Sequence, residues 1–175
     1  MKTFRQYIEF IDDKSKLLEL KVLDKLNELG LEYFIYEHPP LRTVEESKAL
    51  RGEMHGGHTK NLFLRNKKKK NYLITVNENQ KIDLKFLESE LSSGRLSFGS
   101  PERLSQFLGV KPGAVSPLAL LNDKHNDVSF FIDHNLLSEN ILNFHPLVNH
   151  LTVSIKVTDF KYLLKSQNKF YNEIY

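Results

Sequence analysis

The sequence predicts a mixed α/β fold: a single domain in which helices flank one central sheet of parallel and antiparallel strands. Apolar residues at helical spacing alternate along the chain with short runs rich in β-branched and aromatic residues. Some of these strand-like runs are joined by short turns and others by helical segments, which favours a mixed sheet. The 175 residues, 40% of them hydrophobic, can build one core and are too few for two comfortable domains.

The first two elements are a helix and a strand. Apolar residues at helical spacing predict an amphipathic helix that ends at Gly30, a residue suited to the left-handed conformation. These apolar residues are Leu18, Val22, Leu26 and Leu29. The aromatic and β-branched run Tyr33–Tyr36 predicts a strand that stops at the rigid loop His38-Pro39-Pro40.

A short helix and a hairpin follow. Thr43 and Glu46 form a T-x-x-E capping box, which predicts a short helix that ends near Arg51-Gly52. The runs Asn61–Arg65 and Tyr72–Val76 then predict two hairpin strands.

The middle of the chain continues with a helix, a strand and a helix. The first helix is predicted from Asp83 to about Leu91, and the short strand lies around Leu96–Phe98. Ser100 is a suitable N-cap and Pro101 a suitable first helical residue, so the next helix should run to Leu108, where Gly109 ends it.

The last third predicts three strands and a helix. The strand-like segments are Leu118–Leu121, Val128–Ile132 and Leu151–Val157, and the polar turn Asn122–Asn126 separates the first two. A final helix should begin at Thr158 and continue through Leu164 toward the C-terminus.

Composition restricts the function. The absence of cysteine excludes disulfides, thiolate zinc sites and cysteine nucleophiles. No apolar run approaches the length that crosses a bilayer, and the charged and aromatic residues Met1–Lys14 do not resemble a signal peptide, so we expect a cytoplasmic protein with no membrane partner. A net charge of +3 and a pI near 8.9 are compatible with a polyanionic partner.

The densest basic feature is the run Lys67–Lys70, flanked by Asn66 and Asn71 between the two hairpin strands. Its position predicts a hairpin tip. A solvated turn is the simpler interpretation, and the alternative is a contact with RNA phosphates that weakens as salt rises.

Familiar catalytic motifs are missing. The chain contains no phosphate-binding G-x-x-x-x-G-K-[ST], no G-x-G-x-x-G, no G-x-S-x-G and no H-E-x-x-H. His55 and His58 flank Gly56-Gly57, but two loop histidines without further placed ligands are a weak signal for a metal. We therefore predict no metal site.

Three weaker site candidates remain. Lys60 lies where a glycine-containing loop meets the apolar strand, so it is either a site lysine or a surface lysine at a strand end. His145 precedes Pro146, which disfavours a helix and places the histidine where a strand ends. The third candidate is a bend that either offers backbone N–H groups to an anion or merely turns the chain. It consists of Gly113, Ala114, Val115, Ser116 and Pro117.

These residues also carry a resemblance to a known family. The segments that carry it, in order, are H-P-P (38–40), T-V-E-E (43–46), R-G-E (51–53), G-H-T-K-N-L-F-L (57–64), R-L-S-F-G-S (95–100), G-A-V-S-P (113–117) and N-F-H-P-L (143–147). From about Leu17 to the end, the chain resembles the free-standing editing domains related to the insertion domain of bacterial prolyl-tRNA synthetase. Within that family it is most similar to the Ala-tRNA(Pro) deacylases. The resemblance implies an editing domain over residues 17–175 with an N-terminal extension over residues 1–16.

The resemblance also implies a site. In the family the lysine of the T-K-N segment is needed for activity, and the histidine before Pro-Leu helps to shape the aminoacyl site, which makes Lys60 and His145 the implied catalytic pair. The G-x-x-x-P loop borders that site, so Gly113 to Pro117 are implied to bind substrate, together with Phe98, Gly99, Ser100 and Asn149. No metal or organic cofactor is implied.

One segment departs from the family pattern. Family members commonly read Asn-Thr-Ala-Thr where this chain reads Asn149-His150-Leu151-Thr152. Larger side chains in the pocket would change amino-acid selectivity, whereas side chains facing the core or solvent would change little.

The implied reaction is hydrolysis of an amino acid, alanine, wrongly esterified to proline tRNA. We hypothesise that Lys60 holds a phosphate near the 3′ end, that N–H groups of the 113–117 loop meet the ester carbonyl, and that a ribose hydroxyl helps to activate water. A small pocket would exclude the larger proline. The alternatives are a Cys-tRNA(Pro) deacylase and a non-catalytic tRNA-binding homologue. The resemblance also makes prolyl-tRNA synthetase a candidate partner.

Overall fold

The computed structural model describes residues 13–40, residues 45 and 48, and residues 54–175. Over these residues the chain forms four α-helices and eight strands. The helices are α1 (Asp13–Glu28), α2 (Leu84–Glu90), α3 (Pro101–Leu108) and α4 (Val157–Ser166). The strands are β1 (Tyr33–Glu37), β2 (Gly57–Asn66), β3 (Asn71–Asn77), β4 (Leu96–Phe98), β5 (Val128–Asp133), β6 (Ile141–Phe144), β7 (Leu151–Lys156) and β8 (Tyr171–Ile174). Short 3-10 helices span Pro117–Asn122 and Leu136–Ser138.

The eight strands form one mixed sheet, as the sequence predicts. Its order is β1-β7-β6-β2-β3-β5-β8, and β4 pairs with β2 off this path. The pairs β2–β6, β3–β5 and β5–β8 are parallel, and the other pairs are antiparallel. The sheet therefore has two halves, β1-β7-β6 and β2-β3-β5-β8, which meet at the parallel β2–β6 pair.

Hydrophobic cores lie on both faces of the sheet. The larger core packs α1, α3, α4 and the 117–122 helix against one face, and Phe63 of β2 belongs to it. The smaller core packs α2 against the other face, and Leu62 and Leu64 belong to it. Because successive strand residues alternate between faces, β2 contributes to both cores.

The predicted helix ends are confirmed. Gly30, at φ +65°, and Gly109, at φ +68°, adopt the left-handed conformation just after α1 and α3. The Ser100 hydroxyl accepts a hydrogen bond from the Arg103 N–H at the start of α3, and the Asp83 carboxylate caps α2. The capping box of Thr43 and Glu46 lies outside the described residues.

Two predictions at the secondary-structure level are wrong. Leu118–Leu121 is not a strand but the centre of the 117–122 3-10 helix. Pro117 at its first position and the Ser116 hydroxyl, which accepts from the Leu118 N–H, start a helical turn, and a short apolar run cannot by itself distinguish buried helix from strand. The final helix also stops at Ser166, and the chain ends instead in strand β8, which pairs with β5.

The predicted boundary between residues 1–16 and 17–175 falls inside α1 and stays a prediction. Among the described helices, none combines the length and apolar character that crossing a membrane requires.

Candidate functional site

β2 is paired along most of one edge but, among the described strands, only at the two ends of the other edge. β3 pairs with residues 59–65 along the first edge. On the second edge, β6 pairs only with Gly57 and His58, and β4 pairs only with residues 64–66. Among the described strands, none pairs with residues 59–62 on that edge. The sheet therefore contains a gap, which we call the β2–β6 gap.

Lys60 and His145 flank this gap. The parallel pairing ends with His58 opposite Asn143; Lys60 lies two residues further along β2, and His145 directly follows the end of β6. Since side chains of parallel neighbours in register share a face, Lys60 and His145 lie on the same face, opposite the larger core. The crevice beyond the carboxyl ends of diverging parallel strands is where open α/β sheets bind ligands.

The Lys60 side chain is held by a backbone carbonyl. Its Nζ donates a hydrogen bond to the Gln80 carbonyl oxygen at 2.5 Å, in the segment between β3 and α2. Among the described residues no carboxylate forms an ion pair with it. The rigid strand and the carbonyl thus position a half-buried lysine whose charge is not neutralised by any acidic side chain of the described residues.

His145 is a neutral ring with a defined tautomer. Its Nδ1 lies 2.8 Å from the Leu151 carbonyl oxygen, which can only accept, so Nδ1 carries the proton and Nε2 keeps a lone pair. Burial lowers the pKa of His145, the hydrogen bond to Leu151 opposes that shift, and the nearby His150 adds to it. Nε2 is therefore available as an acceptor.

His38 supports the His145 ring, and the sequence analysis assigned it no role in the site. The two ring centroids are 5.8 Å apart. His38 Nδ1 lies 2.9 Å from the Pro39 carbonyl oxygen, and its Nε2 lies 2.9 Å from the Thr152 hydroxyl. Burial is the main cause that lowers the pKa of His38. Each of the two histidines directly precedes a proline, which is the one sequence signal that links them.

The residues that depart from the family pattern are buried. His150 packs beneath α1, where its Nε2 lies 3.5 Å from a carboxylate oxygen of Glu19. Leu151 is 3% exposed and starts β7, while its carbonyl oxygen holds His145. Asn149 lies in the connection between β6 and β7, next to these residues. The backbone of this segment thus holds His145, while its larger side chains are buried.

Asn143 joins the two halves of the sheet, and sequence reasoning missed it. Its amide donates to the carbonyl oxygens of His55 at 2.9 Å and Gly57 at 3.3 Å, and its side-chain oxygen accepts from the Ser154 hydroxyl. The Thr59 hydroxyl donates to the Asn143 carbonyl oxygen at 3.0 Å. These bonds fix the start of β2 against β6 directly before the strands part.

The 113–117 loop offers unpaired backbone donors. Gly113 has φ +89°, the Ala114 N–H donates to Lys111, and the buried Ser116 hydroxyl is occupied by the Leu118 N–H. The N–H groups of Val115 and Ser116 have no acceptor among the described residues. Two successive free N–H groups can bind an oxyanion, whereas the Ser116 hydroxyl is not placed to act as a nucleophile.

The 113–117 loop is anchored in the larger core. Ala114 packs into the larger core, and Pro117 begins the 3-10 helix behind it. Within the described chain no hydrogen bond joins residues 113–117 to Lys60 or His145. The β2–β6 register therefore places Lys60 and His145 beside one gap, and no hydrogen bond of the described residues connects the loop with that pair.

Residues Phe98, Gly99 and Ser100 border the other end of the gap. The Gly99 N–H donates to the Phe63 carbonyl oxygen at 2.9 Å, and a Cβ on Gly99 would lie 2.4 Å from the Phe63 ring, so only glycine fits. Phe98 is 60% exposed on the same face as Leu64. The Ser100 hydroxyl is occupied as the cap of α3.

Two cavities lined by described residues lie elsewhere. One groove of about 420 Å³ is lined by Leu31, Glu32, Tyr33, Phe34, Ile141, Ser154 and Lys156. A second, of about 190 Å³, is lined by Leu120, Asn126, Val128, Ser129, Phe130, Lys169, Phe170 and Asn172. Neither contains a residue that the sequence analysis assigned to the site. In the described part of the chain, no three histidine or acidic side chains converge as metal ligands.

Comparison with known proteins identifies relatives of this chain. The family model described as the aminoacyl-tRNA editing domain matches residues 38–163. The chain is 37% identical over 154 residues to the prolyl-tRNA editing protein ProX of Acetoanaerobium sticklandii, covering 87% of this chain and 94% of that protein. It is 34% identical over 154 residues to the prolyl-tRNA synthetase associated domain-containing protein 1 of Mus musculus, covering 85% and 90%.

Solved structures share the fold. A candidate trans-editing enzyme for prolyl tRNA synthetase superposes with a TM-score of 0.66 at 20% identity, covering 93% of this chain and 97% of that one. A hypothetical protein superposes with a TM-score of 0.67 at 18% identity, covering 87% and 97%. At these identities the likeness establishes the fold alone.

The buried histidines predict a loss of stability at acid pH. Burial holds the pKa of His145 below its ordinary value of 6.5, so the unfolded chain binds a proton more readily than the folded one. The free energy of unfolding should therefore fall as the pH decreases below about 6.5. Urea unfolding between pH 7.5 and 5 measures it. His145→Asn should make the decline shallower, and the exposed control His125→Asn should not; identical profiles for all three proteins would contradict the assignment.

Proposed function

Because the chain belongs to the aminoacyl-tRNA editing domain family, we propose that it is a free-standing deacylase that removes alanine from mischarged proline tRNA. The named relatives make it an aminoacyl-tRNA hydrolase of the prolyl-tRNA editing type. The observation that carries the proposal is the β2–β6 gap, with the cation of Lys60 and the neutral ring of His145 on one face. We assign the activity to residues 17–175.

The reaction needs two things from the protein. Water adds to the ester carbonyl, the bond to the ribose oxygen breaks, and free alanine and a tRNA with a restored ribose hydroxyl result. The charge that develops on the carbonyl oxygen must be stabilised, and the ester must be held in place. A protein nucleophile is not required, and the occupied hydroxyls of Ser100 and Ser116 agree with that scheme.

Lys60 holds the 3′ end of the tRNA in this mechanism. An ammonium is a compact charge that suits a phosphate oxygen, and its bond to the Gln80 carbonyl aims it from the strand before substrate arrives. When the tRNA binds, a phosphate oxygen would replace the Gln80 carbonyl as the acceptor of the Lys60 ammonium, or the two oxygens would share the ammonium.

His145 orients the amino acid. With Nδ1 committed to the Leu151 carbonyl, Nε2 can accept a hydrogen bond from the ammonium group of the esterified alanine. The neighbouring His38 ring, fixed by Thr152 and Pro39, limits the room beside it. A small, rigid space of this kind discriminates by excluding the larger proline ring, so serine and glycine esters should also be hydrolysed.

The 113–117 loop supplies the oxyanion donors. The free N–H groups of Val115 and Ser116 would meet the carbonyl oxygen, while a ribose hydroxyl helps to activate the water. Since no hydrogen bond of the described residues joins the loop to Lys60 or His145, the substrate itself would bridge them.

Alanine is the proposed substrate and cysteine the alternative. The G-H-T-K and F-H-P-L segments favour the alanine type. Leu151 lies on the same face of β7 as Val153 and Ile155, which belong to the larger core, so its side chain faces away from the gap.

Deacylation assays with Lys60→Ala test the proposal. The wild type should release alanine faster than cysteine and leave prolyl-tRNA(Pro) intact, without added metal. The variant should lose about 100-fold in kcat/KM because a charge that positions the substrate is removed. The exposed neighbour Lys81→Ala is the matched control and should retain activity. Preferential release of cysteine would reassign the substrate, and absence of turnover by the wild type would indicate a binding protein.

A backbone substitution tests the oxyanion donors. Val115→Pro removes one N–H group, whereas Val115→Ala keeps it and changes only the side chain. Loss of a single oxyanion donor typically lowers kcat about 100- to 1,000-fold, so the proline variant should show that loss and the alanine variant should not. Thermal unfolding of both variants controls for misfolding. Equal activity of two folded variants would remove the loop from the mechanism.

A further inference from the structure

The tip of the β2–β3 hairpin is an exposed run of uncompensated positive charge. Lys67–Lys70 are all exposed, as is Arg65 on the adjoining strand. In the described part of the chain no carboxylate pairs with any of these side chains, and the sequence has no acidic residue between Glu53 and Glu78. Neighbouring like charges repel one another, which disfavours this arrangement unless a polyanion offsets it. We call residues 65 and 67–70 the basic tip.

The basic tip is built as an ordered turn. The Asn66 side chain accepts from the Lys70 N–H at 3.0 Å and donates to the Ser93 carbonyl oxygen at 3.0 Å. From α3, the Arg103 guanidinium donates to the Lys69 carbonyl oxygen and to the Asn71 side chain, each at 2.6 Å. Hydrogen bonds from Asn66 and Arg103 thus hold the lysines on an ordered turn.

The backbone at Lys69 is strained. Its φ of +62° lies in the left-handed region that lysine rarely adopts. Asparagine or glycine would suit this position better, so the turn keeps a lysine at a conformational cost.

The basic tip lies far from Lys60 along the same strand. β2 runs without interruption from Lys60 to Asn66, which at about 3.3 Å per residue separates the tip from the gap by about 20 Å. A terminal nucleotide held by Lys60 cannot reach that distance. The phosphates of a nucleic-acid helix that continues from that nucleotide can.

We infer that the basic tip binds the phosphate backbone of the helical arm of the tRNA, about 20 Å from the reacting ester, and so contributes affinity without touching the aminoacyl end. This inference rests on the proposed function for the identity of the RNA. Phosphate contacts of this kind are independent of base sequence and release counterions, so binding should weaken steeply with salt.

The test compares two triple variants with equal loss of charge. The tip variant is K67Q/K68Q/K70Q, which leaves Lys69 and its braced carbonyl unchanged. The control variant is K124Q/K161Q/K165Q. Its lysines lie outside the tip: Lys124 is in the turn between the 117–122 helix and β5, and the other two are on α4. Binding of uncharged tRNA(Pro) is measured between 50 and 200 mM salt. Hydrolysis is measured with alanyl-tRNA(Pro) and with alanine esterified to the trinucleotide CCA.

The tip variant should bind tRNA about tenfold more weakly at low salt, with a slope of log K against log salt that is shallower by about 2 to 3. Its KM for alanyl-tRNA should rise by the same factor as tRNA binding weakens. Its kcat for alanyl-tRNA and its rate of hydrolysis of the trinucleotide ester should stay at the wild-type values. The control variant should match the wild type in tRNA affinity, in salt slope and in KM for alanyl-tRNA.

Three results would overturn the inference: equal weakening by the control, an unchanged salt slope for the tip variant, or equal loss on the trinucleotide ester. Unchanged tRNA binding together with lost binding to phosphatidylserine vesicles would reassign the tip to a membrane surface. The binding arm needs no turnover, so a wild type that binds through the tip but hydrolyses nothing would refute the proposed function and leave this inference standing.

Discussion

The parallel pairing of β2 with β6 is the constraint on which the rest of the site depends. It spans only two residues on each strand, yet it joins the two halves of the sheet. Asn143 reinforces it with bonds to the carbonyl oxygens of His55 and Gly57. A longer pairing would cover the backbone beside Lys60, and a missing one would let the halves separate. Because pairing stops at His58, the strands part and leave a gap at a fixed place.

The sheet face that carries the gap is apolar on one half and polar on the other. On the β2-β3 half it is apolar and covered by α2, with Leu62 and Ile74 in the smaller core. On the β6-β7 half it is polar: Asn143, Thr152 and Ser154 are buried, and each has a hydrogen-bond partner. Buried polar groups are stable only when they are paired in this way. The polar half therefore provides fixed rings and hydroxyls beside the gap, and the apolar half provides the rigid strand that presents Lys60.

Local chemistry made much of the fold predictable from the sequence. Helices α1 and α3 and the β2–β3 hairpin follow from spacing, caps and turn residues within a few positions of one another. The 3-10 helix at 117–122 could not be predicted in this way, because a short apolar run fits either a strand or a buried helix. Strand β8 could not be predicted either, because its pairing with the distant strand β5 specifies it. The β2–β6 gap could not be predicted from the sequence either, since it depends on the register between β2 and β6. The resemblance indicated Lys60 and His145, whereas the roles of His38 and Asn143 became visible only through their contacts.

The most direct measurement of the central claim is a crystal structure with a non-hydrolysable analogue, alanine joined through an amide to the 3′-amino group of 3′-amino-3′-deoxyadenosine 5′-phosphate. The account predicts the alanyl group in the β2–β6 gap, with its ammonium group within hydrogen-bond distance of His145 Nε2 and the phosphate next to Lys60 Nζ. Binding in the groove lined by Phe34 and Lys156, away from both residues, would contradict it.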